Sequence, residues 1–163
     1  MTTKTRKPHL LTAEGVARLE KELDYLSTVR REEVAEKLHQ AFQDGPDEDF
    51  VDNAALEAAR NEQSFVEGRI LELRDILNNY QVIDGLNRDK SKVGVGDWVT
   101  VVEDGYDEEE KYHLVGAAEA DPVNGRISNE SPLGRALMGA KAGDVVKVNA
   151  PNGVIAFKIV KTG

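Results

Sequence analysis

The chain has 163 residues, 40% hydrophobic and 31% charged, which predicts a soluble globular protein of one or two domains with a real core. No stretch approaches about 18 consecutive apolar residues and no apolar region follows the basic N-terminus, so neither a transmembrane helix nor a secretory signal is expected. The net charge of −9 argues against general coating of DNA or RNA, and the absence of cysteine excludes disulfides and thiolate metal sites and suits a cytosolic protein.

The N-terminal part predicts a loose segment followed by a long helix. Residues 1–10 are polar and basic, and Thr12 is suited to cap the helix that follows. Apolar residues then recur at spacings of three and four, as in the seam of a coiled coil: Val16, Leu19, Leu23 and Leu26. The spacing changes to fours after Leu26, which indicates a local unwinding of the supercoil.

An acidic bend follows this helix. It contains Gly45-Pro46, a turn signal that interrupts helices. It also contains five carboxylates and no Lys or Arg: Asp44, Asp47, Glu48, Asp49 and Asp52. These acids supply most of the excess negative charge of the first 80 residues, which carry 11 Lys and Arg against 17 Asp and Glu. Such a local concentration of charge is either a solvated loop or a site, and composition alone leaves both interpretations open.

The second helix continues the seam without a break. Its seam positions alternate at three and four and are interrupted by one polar residue: Leu56, Ala59, Gln63, Val66, Ile70, Leu73, Leu77 and Tyr80. Two such helices joined by a short polar bend are expected to pack antiparallel as a coiled-coil hairpin. About 30 residues per helix correspond to an arm of roughly 45 Å, with the acidic bend at its tip.

The C-terminal half has the pattern of a small sheet domain. Runs rich in β-branched residues predict strands at 98–102, 111–115, 145–148 and 154–160. Ser131-Pro132 predicts the start of a short helix, and Trp98 is expected in the core. The expected fold is therefore α+β, with an antiparallel coiled-coil hairpin at residues 1–82 and an antiparallel-sheet domain at residues 83–163.

No pattern of a self-contained catalytic site is present. His9, His39 and His113 lie in separate contexts and are better explained by packing or surface positions than by catalysis or metal binding. Asp49 and Asp52, in contrast, are three residues apart at the start of the second helix, so both can point forward from the tip. Carboxylate oxygens suit Mg²⁺, and two of them form half a site for an ion that a partner also holds.

Several short motifs resemble those of the Gre-type bacterial transcript-cleavage factors, over nearly the whole chain. They are Leu23-Asp24-Tyr25-Leu26 with Val29-Arg30-Arg31, Asp52-Asn53-Ala54, Ala58-Ala59-Arg60, Glu67-Gly68-Arg69-Ile70, and Ser131-Pro132-Leu133-Gly134 with Ala136-Leu137. The resemblance implies a coiled coil that reaches the active centre of RNA polymerase through its secondary channel. It also implies a C-terminal domain similar in fold to FKBP prolyl isomerases, which docks at the rim of that channel.

The same resemblance implies a role for the tip. Asp49 and Asp52 would help to hold a second Mg²⁺, shared with the polymerase and not bound tightly by the factor alone, and the polymerase would then cleave its backtracked RNA near the 3′ end. The chain would not itself be an enzyme, and it would be a cytoplasmic factor, monomeric when free, without a membrane partner. Contacts to RNA or polymerase are expected from the matching positions Asn53, Arg60, Arg69, Ser131, Pro132 and Leu133. For the two arginines, i,i+4 ion pairing along the coiled coil is an equally open interpretation.

The tip departs from the family pattern Gly-Asp-Leu-x-Glu-Asn in two ways. Asp52 stands at the Glu position and is one methylene shorter, and Pro46-Asp47-Glu48 is inserted before Asp49. Extra acids at the tip resemble those of Gre-like paralogues that inhibit the polymerase. A channel-plugging inhibitor is therefore the alternative to a cleavage-stimulating factor. A prolyl isomerase, suggested by fold analogy alone, is a third hypothesis, for which no activity is expected.

Overall fold

The computed structural model describes residues 6–44, 54–83 and 89–163, which form an α+β fold, as expected. The helices and strands are β1 (His9–Leu11), α1 (Ala13–Tyr25), α2 (Arg31–Gln43), α3 (Ala54–Asn78), β2 (Tyr80–Val82), β3 (Trp98–Glu103), β4 (Glu109–Val115), β5 (Arg126–Ser128), α4 (Pro132–Leu137), β6 (Val145–Ala150) and β7 (Gly153–Thr162). They divide into two compact units. Residues 17–79 are called the helical hairpin below, and residues 1–16 with 80–163 are called the sheet body.

In the helical hairpin, α2 runs antiparallel to α3. Cross-helix ion pairs show the direction, because Arg31 meets Glu67 whereas Lys37, further along α2, meets the earlier Glu62. Between α1 and α2 the chain forms a π-helical turn over Leu26–Arg30. This turn lies where the spacing of apolar residues changes in the sequence. π-Helical segments are typically single turns within a longer α-helix.

Apolar burial in the hairpin follows most of the predicted seam. A central cluster of Val34, Val66 and Ile70 is buried, with Leu23 and Leu26 packed against it. The prediction is wrong at the end of the second helix. There α3 ends at Asn78, so Tyr80 belongs to β2, and the last buried helical residue is Ile76.

The sheet body is built on a five-stranded sheet in the order β5-β4-β3-β7-β6. The expectation of an antiparallel sheet holds for three of the four strand pairs. The exception is the pair of β4 and β5, which runs parallel with His113 opposite Arg126. The sequence pattern does not predict β5, because a strand of three residues is too short to show alternation.

The apolar core lies on one side of this sheet, beneath α4. Its buried members are Val93, Val99, Val101, Leu114, Ile127, Leu137, Ala140, Val148, Phe157 and Ile159. Trp98 is not among them, contrary to expectation, and is 40% exposed. Adjacent strand residues point to opposite faces, and in β3 it is Val99 that points into the core.

The N-terminal segment is not a loose arm throughout, which corrects the expectation for residues 1–10. β1 pairs parallel with β2, with His9 opposite Tyr80 and Leu11 opposite Val82. Leu11 is fully buried. The strands that immediately precede and follow the helices in sequence are therefore bonded to each other.

Candidate functional site

The predicted tip lies outside the described residues. Asp49, Asp52 and Asn53 fall within residues 45–53, which the structure does not describe. Their proposed roles therefore stay predictions. The structure does describe the two helix ends that this segment connects, and it shows how those ends are held together.

The ends of α2 and α3 next to the tip are in contact with each other. The guanidinium carbon of Arg60 lies 5.8 Å from the centroid of the Phe42 ring, which is a cation–π distance. The apolar residues buried at this end of the hairpin are Ala41, Leu56 and Ala59. The helical hydrogen-bond pattern continues to Asp44, whose N–H donates to the carbonyl of Gln40 at 2.9 Å. The acidic segment thus joins two helix ends that lie side by side.

Two bidentate ion pairs connect the facing helices further along. Arg31 donates two hydrogen bonds of 2.8 Å to the two carboxylate oxygens of Glu67. Arg69 donates bonds of 2.7 and 3.0 Å to the two oxygens of Glu22. Because bidentate pairs restrict orientation as well as distance, these contacts favour one register between the helices.

A third carboxylate, that of Glu62, forms ion pairs with two basic side chains from the opposite side of the hairpin. Arg30 hydrogen-bonds to it, and the Nζ of Lys37 lies 3.1 and 3.2 Å from its two oxygens. The sequence signal for this residue is its place beside the apolar seam, where charged residues of coiled coils often pair across helices. Its partners, however, depend on the register and could not be read from one helix alone.

Ion pairing shifts the pKa values of three groups in the hairpin, Arg31, Glu67 and Arg69. The hydrogen bond between Arg31 and Glu67 lowers the pKa of the Glu67 carboxyl and raises that of the guanidinium. The hydrogen bond to Glu22 likewise raises the pKa of Arg69. Each of these shifts favours the charged form, so Arg31, Glu67 and Arg69 are charged at neutral pH.

Both arginines that were predicted to contact RNA have partners within the hairpin. Arg60 lies over Phe42, and Arg69 pairs with Glu22 on the other helix and with Glu72 at i,i+3. These contacts are not the i,i+4 pairs that the alternative interpretation expected. An RNA contact by Arg69 would have to compete with its bidentate pair, and the RNA role of both arginines stays a prediction.

The predicted docking residues lie at the start of α4 in the sheet body. Ser131 is the N-cap, as expected: its hydroxyl oxygen accepts a hydrogen bond from the Gly134 N–H at 3.0 Å and the hydroxyl donates to the Ser128 carbonyl at 2.7 Å. Leu133 packs against the apolar core, whereas Pro132 is exposed. Of the three predicted contacts, Pro132 therefore has the side chain most available to a partner.

A buried carboxylate that the sequence pattern does not predict supports the start of α1. Glu119 is 5% exposed, and its oxygens accept hydrogen bonds from the Thr12 N–H at 2.7 Å and from the Thr12 hydroxyl at 2.8 Å. Thr12 accepts in turn from the Gly15 N–H at 2.9 Å, which confirms it as the predicted N-cap. A Cβ on Gly15 would lie 1.9 Å from a Glu119 oxygen. Glu119 and Thr12 are 107 residues apart, so no local signal identifies the contact.

Among the described residues, none of the three histidines belongs to a group of potential metal ligands. Within the described ranges, no group of three or more His, Cys, Asp or Glu side chains is placed to hold a metal ion. His39 contacts Gln43 at 3.0 Å, and His113 stacks on Trp98. None of the helices in the described part of the chain has the length and apolar character of a membrane span.

Two family models match the chain, one in each half. The model described as "Transcription elongation factor, N-terminal" matches residues 9–82. The model described as "Transcription elongation factor, GreA/GreB, C-term" matches residues 88–162. Together they account for nearly all of the sequence.

Curated relatives match over almost their whole length. The chain is 49% identical over 155 residues to the transcription elongation factor GreA of Thermoanaerobacter pseudethanolicus, covering 95% of this chain and 97% of that protein. It is 46% identical over 157 residues to GreA of Acetivibrio thermocellus, covering 96% and 97%. Among solved structures, the GreA factor homolog 1 protein of Thermus thermophilus is 29% identical over 97% of this chain and 99% of that chain, with a TM-score of 0.43.

Proposed function

Because the chain belongs to the GreA/GreB family of transcription elongation factors, we propose that it enters the secondary channel of RNA polymerase and stimulates cleavage of backtracked RNA. The observation that carries the proposal is the family match across both halves of the chain. Cleavage would leave a new RNA 3′ end in the polymerase active centre, and elongation would resume. The factor would act in the cytoplasm and would be a monomer when free.

The helical hairpin is suited to carry an acidic tip into a narrow channel. Its longest helix, α3, has 25 residues, about 37 Å at the rise of an α-helix. Its apolar cluster and cross-helix ion pairs support packing as a coiled coil. The sheet body, with Pro132 exposed at the start of α4, would dock at the channel rim. An FKBP-like fold for that body, and the division at residues 82 and 83, belong to the same proposal.

Asp49 and Asp52 are the residues that would hold a Mg²⁺ shared with the polymerase. Their donor set fits this ion, because carboxylate oxygens are hard ligands and two of them leave positions for water and for the partner's ligands. Such an ion, when bound, can activate a water and stabilise the leaving oxygen in phosphodiester cleavage. The contribution of the chain is to position two negative charges, while the polymerase contributes the rest of the catalytic centre.

An RNA cleavage assay on stalled, backtracked polymerase tests this function. Wild-type protein should release a 3′ RNA fragment faster than polymerase alone. Asp49→Asn and Asp52→Asn keep the side-chain size but remove the charge, and each should reduce the stimulation by at least about tenfold. Glu48→Gln is the matched control, because it removes one tip carboxylate outside the family pattern. Wild-type rates in both Asn variants would refute the ligand role, and no stimulation by the wild type would refute the function.

The insertion Pro46-Asp47-Glu48 favours a second candidate, a factor that plugs the channel. Such an inhibitor should slow nucleotide addition without additional RNA cleavage. Deleting residues 46–48 should then relieve the inhibition, because it removes two of the excess charges. Unimpaired RNA synthesis at a saturating concentration of the protein would eliminate this candidate.

A further inference from the structure

One face of the five-stranded sheet points away from the apolar core. In β3, Val99 and Val101 are fully buried, and the residues that alternate with them point to the opposite side. Those residues are Trp98, Thr100 and Val102. This side of the sheet is called the outer face below.

The outer face carries a concentration of positive charge in an acidic chain. Residues directly opposed on neighbouring strands share a face, and by this register four exposed lysines belong to it: Lys111, Lys147, Lys158 and Lys161. Lys111 and Lys161 lie on the two sides of Thr100. Glu109, opposite Val102, is an acid on this face, and the acidic turn at residues 104–108 bounds the face at that end. The excess of lysine contrasts with the net charge of −9 for the whole chain.

An exposed aromatic side chain, Trp98, lies at the opposite end of β3 from this acidic turn and stacks on the half-buried His113. The rings of Trp98 and His113 are stacked, with centroids 4.5 Å apart and an angle of 7° between the planes. The Nζ of Lys111 lies 5.0 Å from the centroid of the Trp98 ring. Exposed aromatic rings beside cations are the combination that binds single-stranded nucleic acids, since bases stack on the rings and the cations neutralise phosphates.

We propose that the outer face binds single-stranded RNA, with a base stacked against Trp98 and phosphates contacted by Lys111, Lys158 and Lys161. Strands are about 4.8 Å apart, so the backbones of Lys111 and Lys161, on either side of β3, are separated by about 10 Å. Their flexible side chains can therefore follow a nucleotide chain across the sheet. An acidic protein segment would also pair with the lysines, but it would not use the stacked aromatic pair. The binding is independent of the proposed function and can be measured without polymerase.

Tryptophan fluorescence tests the proposal directly, because Trp98 is the only tryptophan of the chain. A short oligouridylate titrated into the full-length protein should quench this fluorescence saturably. Three phosphate contacts predict that the logarithm of the binding constant falls with the logarithm of salt concentration with a slope of about −2. Polyglutamate, the probe for an acidic protein partner, should produce little quenching.

Paired lysine substitutions identify the surface involved. Lys158→Ala with Lys161→Ala should weaken RNA binding about tenfold at low salt and reduce the salt slope by about 1.4. Lys92→Ala with Lys141→Ala is the matched control, because it removes two exposed lysines of the sheet body that lie outside the sheet. Circular dichroism verifies that both variants fold. The proposal is overturned if RNA does not quench Trp98, if the control pair weakens binding as much, or if polyglutamate binds as well as RNA.

Discussion

The helical hairpin and the sheet body are stabilised by different kinds of contact. In the described part of the hairpin nine apolar residues are buried, including the cluster of Val34, Val66 and Ile70, and bidentate ion pairs link its facing helices. The core of the sheet body has ten buried residues between the sheet and α4. A pair of helices can bury only one narrow seam, whereas a sheet buries a whole face. In this two-helix element, charged contacts beside the seam therefore add to the apolar burial within it.

This difference can be measured because each unit has its own spectroscopic signal. Trp98 belongs to the sheet body, and the hairpin has no tryptophan, so fluorescence reports on the body alone. The long helices lie in the hairpin, so far-UV circular dichroism reports mainly on that unit. Denaturation followed by both signals can separate the two stabilities.

The largest expected loss of unfolding free energy comes from truncating a buried isoleucine in each unit. Ile159 in the body and Ile70 in the hairpin are both fully buried. Changing either to alanine should cost about 2–5 kcal/mol of unfolding free energy, because transfer energy is lost and a cavity remains. Ile159→Ala should shift the fluorescence transition in urea, whereas Ile70→Ala should shift the circular dichroism transition.

The two variants also test whether the units unfold independently. If each substitution moves one signal and leaves the other near its wild-type midpoint, the contrast between the units holds. Equal shifts of both signals in both variants would show one cooperative transition. The contrast between a hairpin stabilised by a seam with ion pairs and a body stabilised by a sheet core would then not apply to stability.

An intermediate effect is expected at the start of α1. Gly15→Ala places a Cβ where a Glu119 oxygen lies, 1.9 Å away, so the carboxylate must move and its hydrogen bonds to Thr12 weaken. The cost should be about 1–3 kcal/mol, that of disturbing a buried polar contact. Gly68→Ala is the matched control, because a Cβ there meets nothing within 4 Å. It should stabilise the hairpin by about 0.5–1 kcal/mol through reduced backbone entropy of the unfolded chain.

A double-mutant cycle shows whether Glu119 is the cause. Gly15→Ala should cost less in a Glu119→Ala background than in the wild type, since the obstructing carboxylate is then absent. Denaturant midpoints of the four proteins give the coupling energy. Additive effects of the two substitutions would show that the strain at Gly15 has another origin.

Features that depend on neighbouring residues could be predicted from the sequence. The two helices, the hairpin and the caps Thr12 and Ser131 follow from periodicity and local hydrogen bonding, and the structure has them. The motif with Asp49 and Asp52 is local in the same sense, so a role for it could be proposed from spacing and resemblance, and that role stays a prediction. The prediction that Trp98 lies in the core is wrong. The alternation along β3 shows that Trp98 and Val99 lie on opposite faces of the sheet, but it does not show which face packs against the core.

Features that depend on distant residues could not be predicted. The pairing of β1 with β2 joins segments at residues 9–11 and 80–82. The contact of Glu119 with Thr12 spans 107 residues. The register that brings Glu62 to Arg30 and Lys37 requires both helices in place. A single sequence indicates which residues are able to be buried or to form ion pairs. Their partners are determined by the tertiary structure.

The smallest expected effect concerns the exposed pair of Arg31 and Glu67. The hydrogen bond from Arg31 holds the pKa of the Glu67 carboxyl below its usual value, so the pair stabilises the folded hairpin at pH above the ordinary carboxyl pKa. That contribution is lost as the pH falls through the lowered value and the carboxylate is protonated. Glu67→Gln should therefore melt earlier than the wild type by circular dichroism at neutral pH, and the difference should vanish in acid. Since both side chains are more than 40% exposed, added salt should also reduce it. A difference that persists unchanged in acid would mean that packing, not charge, explains the effect of Glu67 on the hairpin.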